Sequence, residues 1–272
     1  MIYGKLPVVF LSVVASAKSG STNSAIASYI LEHIDEVKDL GIKEMAGKCH
    51  VGTGSISRFC KDIGLRDFAE LRELLRSGDE NFEPYSLEGT PRERLEEYGT
   101  KVNHSISMAA GTLSVRKLGE LCRDLRTYEK VALFGLLKAE CAAVNLQGDL
   151  WLMGRNAYTN VSYEQQISYI SQAGKDTLIL IFSYTGAYFE YHREKLFGGR
   201  DRKDRPKIWM ISGKQESLSE YVAEVLDFQS LQDQTSHPWQ LLYAAGVIAR
   251  EYGRGLSLGR GGRRKIGGAA PL

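Results

Sequence analysis

The sequence has few of the features that mark metalloproteins, disulfide-stapled proteins or membrane-spanning proteins. Four cysteines are spread along the chain without any Cys-x-x-Cys spacing, namely Cys49, Cys60, Cys122 and Cys141. We therefore expect reduced thiols, with neither a disulfide framework nor a metal site. The mostly apolar stretch over residues 6–17 is too short to cross a bilayer. It resembles the core of a signal peptide, but only Lys5 supplies a preceding charge, which favours a buried first helix in a cytoplasmic protein with no membrane partner.

The chain also has little net charge of either sign. The formal net charge is +2 over 272 residues, and five basic residues but no acidic one lie within residues 253–272. Removing those five changes the net charge from +2 to −3, so any DNA contact has to come from a local basic patch. We predict a disordered Gly/Arg-rich tail over residues 253–272. Its functional alternative is non-specific affinity for DNA.

Residues 42–64 carry the most informative pattern in the chain. Ile42, Met45 and Ala46 repeat at helical spacing, and a turn follows over residues 49–52. A second helix then carries an apolar stripe, namely Ile56, Phe59, Cys60 and Ile63. Its opposite face is small, polar and basic, which suits the major groove of B-DNA. We predict that this face contacts DNA through five side chains, namely Thr53, Ser55, Ser57, Arg58 and Lys61.

This pattern resembles the N-terminal helix-turn-helix domain of the RpiR family of bacterial regulators that respond to sugar phosphates. The resemblance rests on Ala46 in the first helix, the turn after it, and the Arg58-Phe59 pair. His50 and Gly52 depart from the family pattern. His50 stands where a turn glycine is usual, and histidine tolerates a positive φ better than most residues. Gly52 stands where a serine usually caps the second helix, and glycine is an acceptable but weaker cap.

Composition and periodicity divide the chain into domains. Residues 1–77 are predicted to form an all-α helix-turn-helix domain of about five helices. Residues 78–90 are polar and contain Gly and Pro, so they are predicted to form a linker. A strong helix start follows, because Thr90 can cap the helix, Pro91 occupies its first position, and Glu93 completes a capping box.

Residues 91–252 are predicted to form an α/β domain. Short apolar runs alternate with amphipathic helices, which is typical of a parallel sheet covered on both faces. We expect a doubly wound, three-layer domain with five strands, over residues 131–134, 157–161, 177–182, 207–211 and 225–229. A helix is expected to begin after Gly186, and the last helix is expected over residues 238–252.

The ends of two predicted strands carry a candidate ligand site. The strongest strand is followed by Ser183-Tyr184-Thr185-Gly186, which resembles the phosphate loop of sugar isomerase (SIS) domains. The first strand ends in Gly135, but Leu137 and Ala139 stand where the family has Gly and Ser, so Lys138 would have to supply charge. The resemblance implies an effector site made of Ser183, Tyr184, Thr185, Gly186, Gly135, Lys138 and Ser217.

These resemblances imply a DNA-binding transcriptional regulator that senses a phosphorylated sugar or related metabolite. It would act as a homodimer, or a dimer of dimers, on a two-fold operator in double-stranded DNA. One alternative is a sugar-phosphate isomerase or lyase, although no His–carboxylate pair is visible near the altered first loop. Another is a ligand-independent dimeric DNA binder with a degenerate SIS domain. We assign no catalytic residue, cofactor or metal.

Overall fold

The computed structural model describes residues 5–18, 20–77, 88–190, 196–213 and 220–261. Six helices form the N-terminal region: α1 (Lys5–Ser16), α2 (Thr22–Glu32), α3 (Ile34–Val37), α4 (Ile42–Lys48), α5 (Thr53–Asp62) and α6 (Phe68–Ser77). There is one helix more than the sequence suggested, because the backbone breaks at His33, between α2 and α3.

The α/β domain follows in the order expected from the alternating pattern. Its elements are α7 (Pro91–Thr112), α8 (Val115–Thr127), β1 (Lys130–Phe134), α9 (Lys138–Leu152), α10 (Tyr163–Gln172), β2 (Thr177–Phe182), β3 (Lys207–Ser212), β4 (Glu224–Asp227) and α11 (Ser236–Gly261). The start of α7 has the predicted capping box. The Thr90 side chain accepts from the Glu93 backbone N–H at 3.3 Å, and the Glu93 carboxylate accepts from the Thr90 N–H at 2.7 Å.

The sheet is parallel and is the middle of three layers. Its strands pair in the order β1-β2-β3-β4. Alternate residues of each strand enter different hydrophobic clusters, as a period of two requires. Leu178, Leu180 and Trp209 face α8, α9 and α11. Ile179 and Ile181 face the side that α10 covers.

Three predictions about the α/β domain were wrong. The sheet has four strands among the described residues, because residues 157–161 make only an isolated bridge from Tyr158 to Ala132. These four strands follow in sequence order, so they contain no reversal of winding. The described residues 187–190 form turns rather than the helix expected after Gly186.

The C-terminal tail was also predicted incorrectly. Helix α11 continues to Gly261, so residues 253–261 are helical rather than disordered. Residues 262–272, most of the predicted linker (78–87) and Ser217 lie outside the described residues. No helix in the described part of the chain is both long and apolar enough to cross a membrane.

The helical region packs against the α/β domain through α1. The Ser12 hydroxyl, which is 1% exposed, donates to the Val161 carbonyl at 3.1 Å. Leu6, Val9 and Phe10 of α1 belong to the same hydrophobic cluster as the α10 side of the sheet. Helix α1 therefore contacts both the DNA-binding helices and the domain predicted to hold the ligand.

Candidate nucleic-acid interface and ligand cavity

Helices α4 and α5 form the predicted helix-turn-helix. The apolar stripe of α5 is buried, with Ile56, Phe59 and Cys60 all 0% exposed. Burial raises the pKa of the Cys60 thiol to about 12, so this sulfur is a protonated core group. The Phe59 ring stacks on that of Phe10 in α1, with 6.1 Å between the ring centroids. These contacts fix α5 on the domain by its apolar side.

The turn between α4 and α5 has the backbone that the sequence suggested. His50 adopts a positive φ of 54°, and the Val51 N–H donates to the Ala46 carbonyl at 2.9 Å. Gly52 is the N-cap of α5 and contributes no side-chain hydrogen bond. The first N–H groups of α5 are therefore left without a side-chain cap, at the end of the helix that would face a phosphate.

The outer side of α5 presents the five residues predicted to contact DNA. Thr53, Arg58 and Lys61 are exposed, and Ser55 and Ser57 are partly exposed. Within the described residues neither Arg58 nor Lys61 makes an ion pair. An unpaired cation on a helix face is available for a phosphate or a guanine edge.

One edge of this outer side adjoins the α/β domain. Ser55 and Arg58 line a cleft of about 430 Å³ whose other wall includes Ser162 and Glu164 at the start of α10. Burial raises the pKa of Glu164, and the negative charge of Asp62 raises it further. The start of α10 therefore stands beside Arg58, whereas Lys61 is not among the residues lining this cleft.

A second cavity, of about 230 Å³, lies beyond the carboxyl ends of β1 and β2. Ser183, Tyr184, Thr185 and Lys138 line it, as predicted for an effector site. Gly135 and Gly186 are not lining residues; they shape the loops on either side. The remaining lining residues are mostly apolar and include residues that no sequence motif indicated, namely Val8, Val9, Leu11, Leu136, Leu137, Ala139, Phe182, Ala187, Tyr188, Gln234 and His237.

Lys138 is the charged residue of this cavity. Its ammonium group lies 3.2 Å from the side-chain oxygen and 3.4 Å from the carbonyl oxygen of Gln234, and both oxygens belong to neutral groups. Burial lowers the pKa of Lys138 because the charged form loses hydration. Among the described residues no carboxylate pairs with it, so the cavity has an uncompensated positive charge.

Two helix N-termini replace the one that was predicted at Gly186. Helix α9 begins at Lys138 and α11 begins at Ser236, and both starts lie at the cavity. The N-terminal end of a helix carries a partial positive charge and unpaired N–H groups. Together with Lys138 they make the polar side of the cavity suited to an anion.

His237 was not found from the sequence, because nothing near it in the chain marks it as a site residue. Its ring stacks on Tyr184 with 4.5 Å between centroids and 11° between planes. Neither ring nitrogen has a hydrogen-bond partner among the described residues, and the same holds for the side-chain nitrogen of Gln234. Burial, and secondly the positive charge of Lys138, lower the pKa of His237 to about 4. The neutral ring therefore offers one donor and one acceptor to a ligand.

The two loops that border the cavity are joined by a buried glutamine. The Gln166 side-chain nitrogen donates to the Gly135 carbonyl at 2.9 Å, and its oxygen accepts from the Tyr188 hydroxyl at 2.6 Å. Tyr188 stands where the SIS pattern expects Ser or Thr, and it is used here to hold the loops together. Leu137, which replaces the family's second glycine, adopts a φ of 50° that is costly for a residue with a Cβ.

Comparison with known proteins agrees with the two-domain description. Residues 11–81 match the family "Helix-turn-helix domain, rpiR family". An HTH-type transcriptional regulator of Caldanaerobacter subterraneus is 42% identical over 64 residues, which are 23% of each chain. The chain spans less than two thirds of the length of the curated relatives it matches.

Two solved structures resemble the chain in fold. The NanR protein of Vibrio vulnificus, complexed with ManNAc-6P, aligns with a TM-score of 0.53 at 17% identity, over 94% of both chains. A protein of E. coli CFT073, also in complex with a phosphosugar, aligns with a TM-score of 0.52 at 12% identity, over 61% of this chain and 91% of that chain. At these identities the likeness concerns the fold alone.

The fold and the two sites thus define a helix-turn-helix protein of the transcriptional-regulator class with a SIS-like α/β domain. By its helix-turn-helix domain the chain belongs to the RpiR family.

Proposed function

We propose that this protein is a transcriptional regulator that binds double-stranded DNA through α5 and a phosphorylated sugar through the α/β domain. The observation that carries the ligand assignment is the half-buried ammonium of Lys138, which lacks a carboxylate partner and lies at two helix N-termini. A phosphate would compensate this charge and accept hydrogen bonds from Ser183 and Thr185. The phosphosugars bound by two proteins of similar fold support this class of ligand.

The DNA-binding part of the proposal rests on α5. Its apolar stripe is fully buried, so its other side is available to a major groove, with Arg58 and Lys61 as cations and Thr53 near the uncapped helix start. The start of α10 stands beside Arg58, so access to the whole reading face depends on how the two domains are placed. A ligand that favours one placement would therefore change the affinity for DNA.

A dimer is expected, because one helix-turn-helix buries too little surface for tight, specific binding. An exposed row on α9 offers an apolar surface for a second copy, namely Cys141, Val144, Gly148 and Trp151. Their spacing of three or four residues places them on one side of the helix. Trp151 is 66% exposed and Val144 is 44% exposed. Sedimentation of wild type and Trp151→Glu tests this surface, since the variant should be shifted towards monomer.

We place the protein among regulators rather than enzymes. Its relatives are named transcriptional regulators, although one phosphosugar isomerase is among the proteins of related fold. A regulator working on chromosomal DNA would act in the cytoplasm. A turnover assay with purified protein and sugar phosphates should show no conversion, and measurable isomerisation would favour the enzyme alternative.

Thermal unfolding in the presence of sugar phosphates tests the effector site. A phosphosugar at about 100 times its Kd should stabilise the protein by about 2.7 kcal/mol, and the same sugar without phosphate should not. Lys138→Gln should abolish the stabilisation, because it removes the charge but keeps a polar side chain of similar reach. Lys175→Gln, at a lysine outside this cavity, is the matched control. Equal stabilisation of both variants would refute the assignment of Lys138.

A further inference from the structure

The ligand cavity has one polar side and one apolar side, and the apolar side includes the DNA-binding domain. Lys138, Ser183, Thr185 and His237 form the polar side. Opposite groups come from α1, through Val8 and Leu11, and from the first loop, through Leu136 and Leu137, with Ala187 from the second loop. These aliphatic side chains offer no hydrogen bond to a ligand.

An unsubstituted sugar phosphate does not suit such a cavity well. It carries hydroxyl groups around its ring, and a hydroxyl buried against aliphatic side chains loses its hydrogen bonds to water without replacement. A ligand that is anionic at one end and apolar at another would satisfy both sides. His237 adds a neutral donor and acceptor beside Tyr184, which suits an amide or a hydroxyl group.

We infer that the effector is a phosphosugar with an apolar substituent, such as an N-acyl group, and that this substituent lies against Val8 and Leu11 of α1. The inference rests on the proposed function, since it assumes that a phosphosugar binds in this cavity. It adds the chemical class of the sugar and the element of the DNA-binding domain that the sugar touches.

The same contact links the effector to the reading helix. Next to Leu11 in α1 is Phe10, which is fully buried and stacks on Phe59 of α5. Ser12 on the other side of Leu11 is bound to the α/β domain through the Val161 carbonyl. A substituent pressing on Leu11 therefore acts on a helix that is packed directly behind the residues predicted to contact DNA.

Titration calorimetry with matched pairs of sugars tests the inference. Each pair consists of an amino-sugar 6-phosphate and its N-acetyl derivative, in the gluco and manno series, with glucose 6-phosphate as an unsubstituted reference. The acetylated member should bind roughly tenfold more tightly, since one buried methyl group in an apolar pocket has an effect of that order. Leu11→Ser should remove this preference, and because Leu11 is 42% exposed the variant should still fold.

Two control variants separate the possible outcomes. Ala15→Ser, at an exposed position on the same helix, should retain the preference for the acetylated sugar. Thr185→Ala should weaken both members of a pair equally, because it acts on the phosphate side. Equal or tighter binding of the unacetylated sugars, or an undiminished preference in Leu11→Ser, would overturn the inference while leaving phosphosugar binding intact. Failure of every sugar phosphate to bind would overturn the proposed function and, with it, the inference.

Discussion

His237 gives the cavity a stability that depends on pH. Burial lowers the pKa of its folded-state ring to about 4, whereas an ordinary histidine has a pKa of 6.5. When the pH falls below about 6.5, the unfolded chain binds a proton that the folded chain does not. The contribution is therefore present at neutral pH and is lost progressively as the pH falls from about 6.5 towards about 4.

The size of this effect follows from the two pKa values. At about pH 5 the unfolded histidine is almost fully protonated, while most of the folded protein keeps His237 neutral. The free energy of unfolding should be about 2 kcal/mol lower than at about pH 7.5 for this reason, and about 3 kcal/mol lower at about pH 4. Carboxylates with lowered pKa values, such as those of Glu93 and Asp176, also lose stabilisation in acid, so the His237 contribution has to be isolated by difference.

Urea denaturation of wild type and His237→Gln at about pH 7.5 and about pH 5 isolates it. Wild type should lose about 2 kcal/mol more than the variant between these two conditions. His104→Gln is the matched control, because His104 is exposed on α7, and this variant should behave as wild type. Equal losses in wild type and His237→Gln would refute the claim that the ring is buried and neutral.

Two further predictions concern the backbone around the α/β domain. Gly135→Ala should destabilise the protein by at least about 1–3 kcal/mol, since the added Cβ would lie 2.8 Å from the Ala139 backbone, and chemical denaturation measures this loss. Gly148→Ala, where a Cβ would meet nothing within 4 Å, should be neutral or stabilising, and similar losses in the two variants would contradict the packing of the first loop. Thr90→Ala should cost about 1 kcal/mol by removing the cap of α7, whereas Arg92→Ala in the same turn should change the thermal midpoint much less; no difference between them would argue against the capping box.

Local patterns predicted most of the fold correctly. The helix-turn-helix follows from apolar spacing within about 20 residues, and the observed α4 and α5 agree with it. The continuous apolar run over residues 177–182 became the fully buried strand β2. Such signals are readable because each depends on contacts between near neighbours in the chain.

The errors fall where the chain depends on distant contacts. Residues 157–161 have a strand-like composition but pair with β1 at one bridge only. The helix expected after Gly186 assumed that the second loop resembles its family, whereas Tyr188 is held in the core by Gln166. Helix α11 continues past residue 252, because glycine and basic residues lower helical preference without forbidding a helix.

The ligand cavity was only half predictable from the sequence. Ser183, Thr185 and Lys138 were identified because they follow strands directly. His237 and Leu11 lie far from them in sequence and belong to no motif. They enter the cavity because α11 begins beside α9 and because α1 packs across the carboxyl edge of the sheet.

Fluorescence anisotropy with labelled DNA fragments tests the central claim, that the outer side of α5 binds duplex DNA. Arg58→Ala should weaken binding by about 1–3 kcal/mol and reduce its dependence on salt, because a cation that contacts DNA is lost. Arg92→Ala removes an equal charge from α7 and should leave the affinity unchanged. Equal affinities of Arg58→Ala and wild type, over salt concentrations from about 0.05 to about 0.2 M, would contradict this account.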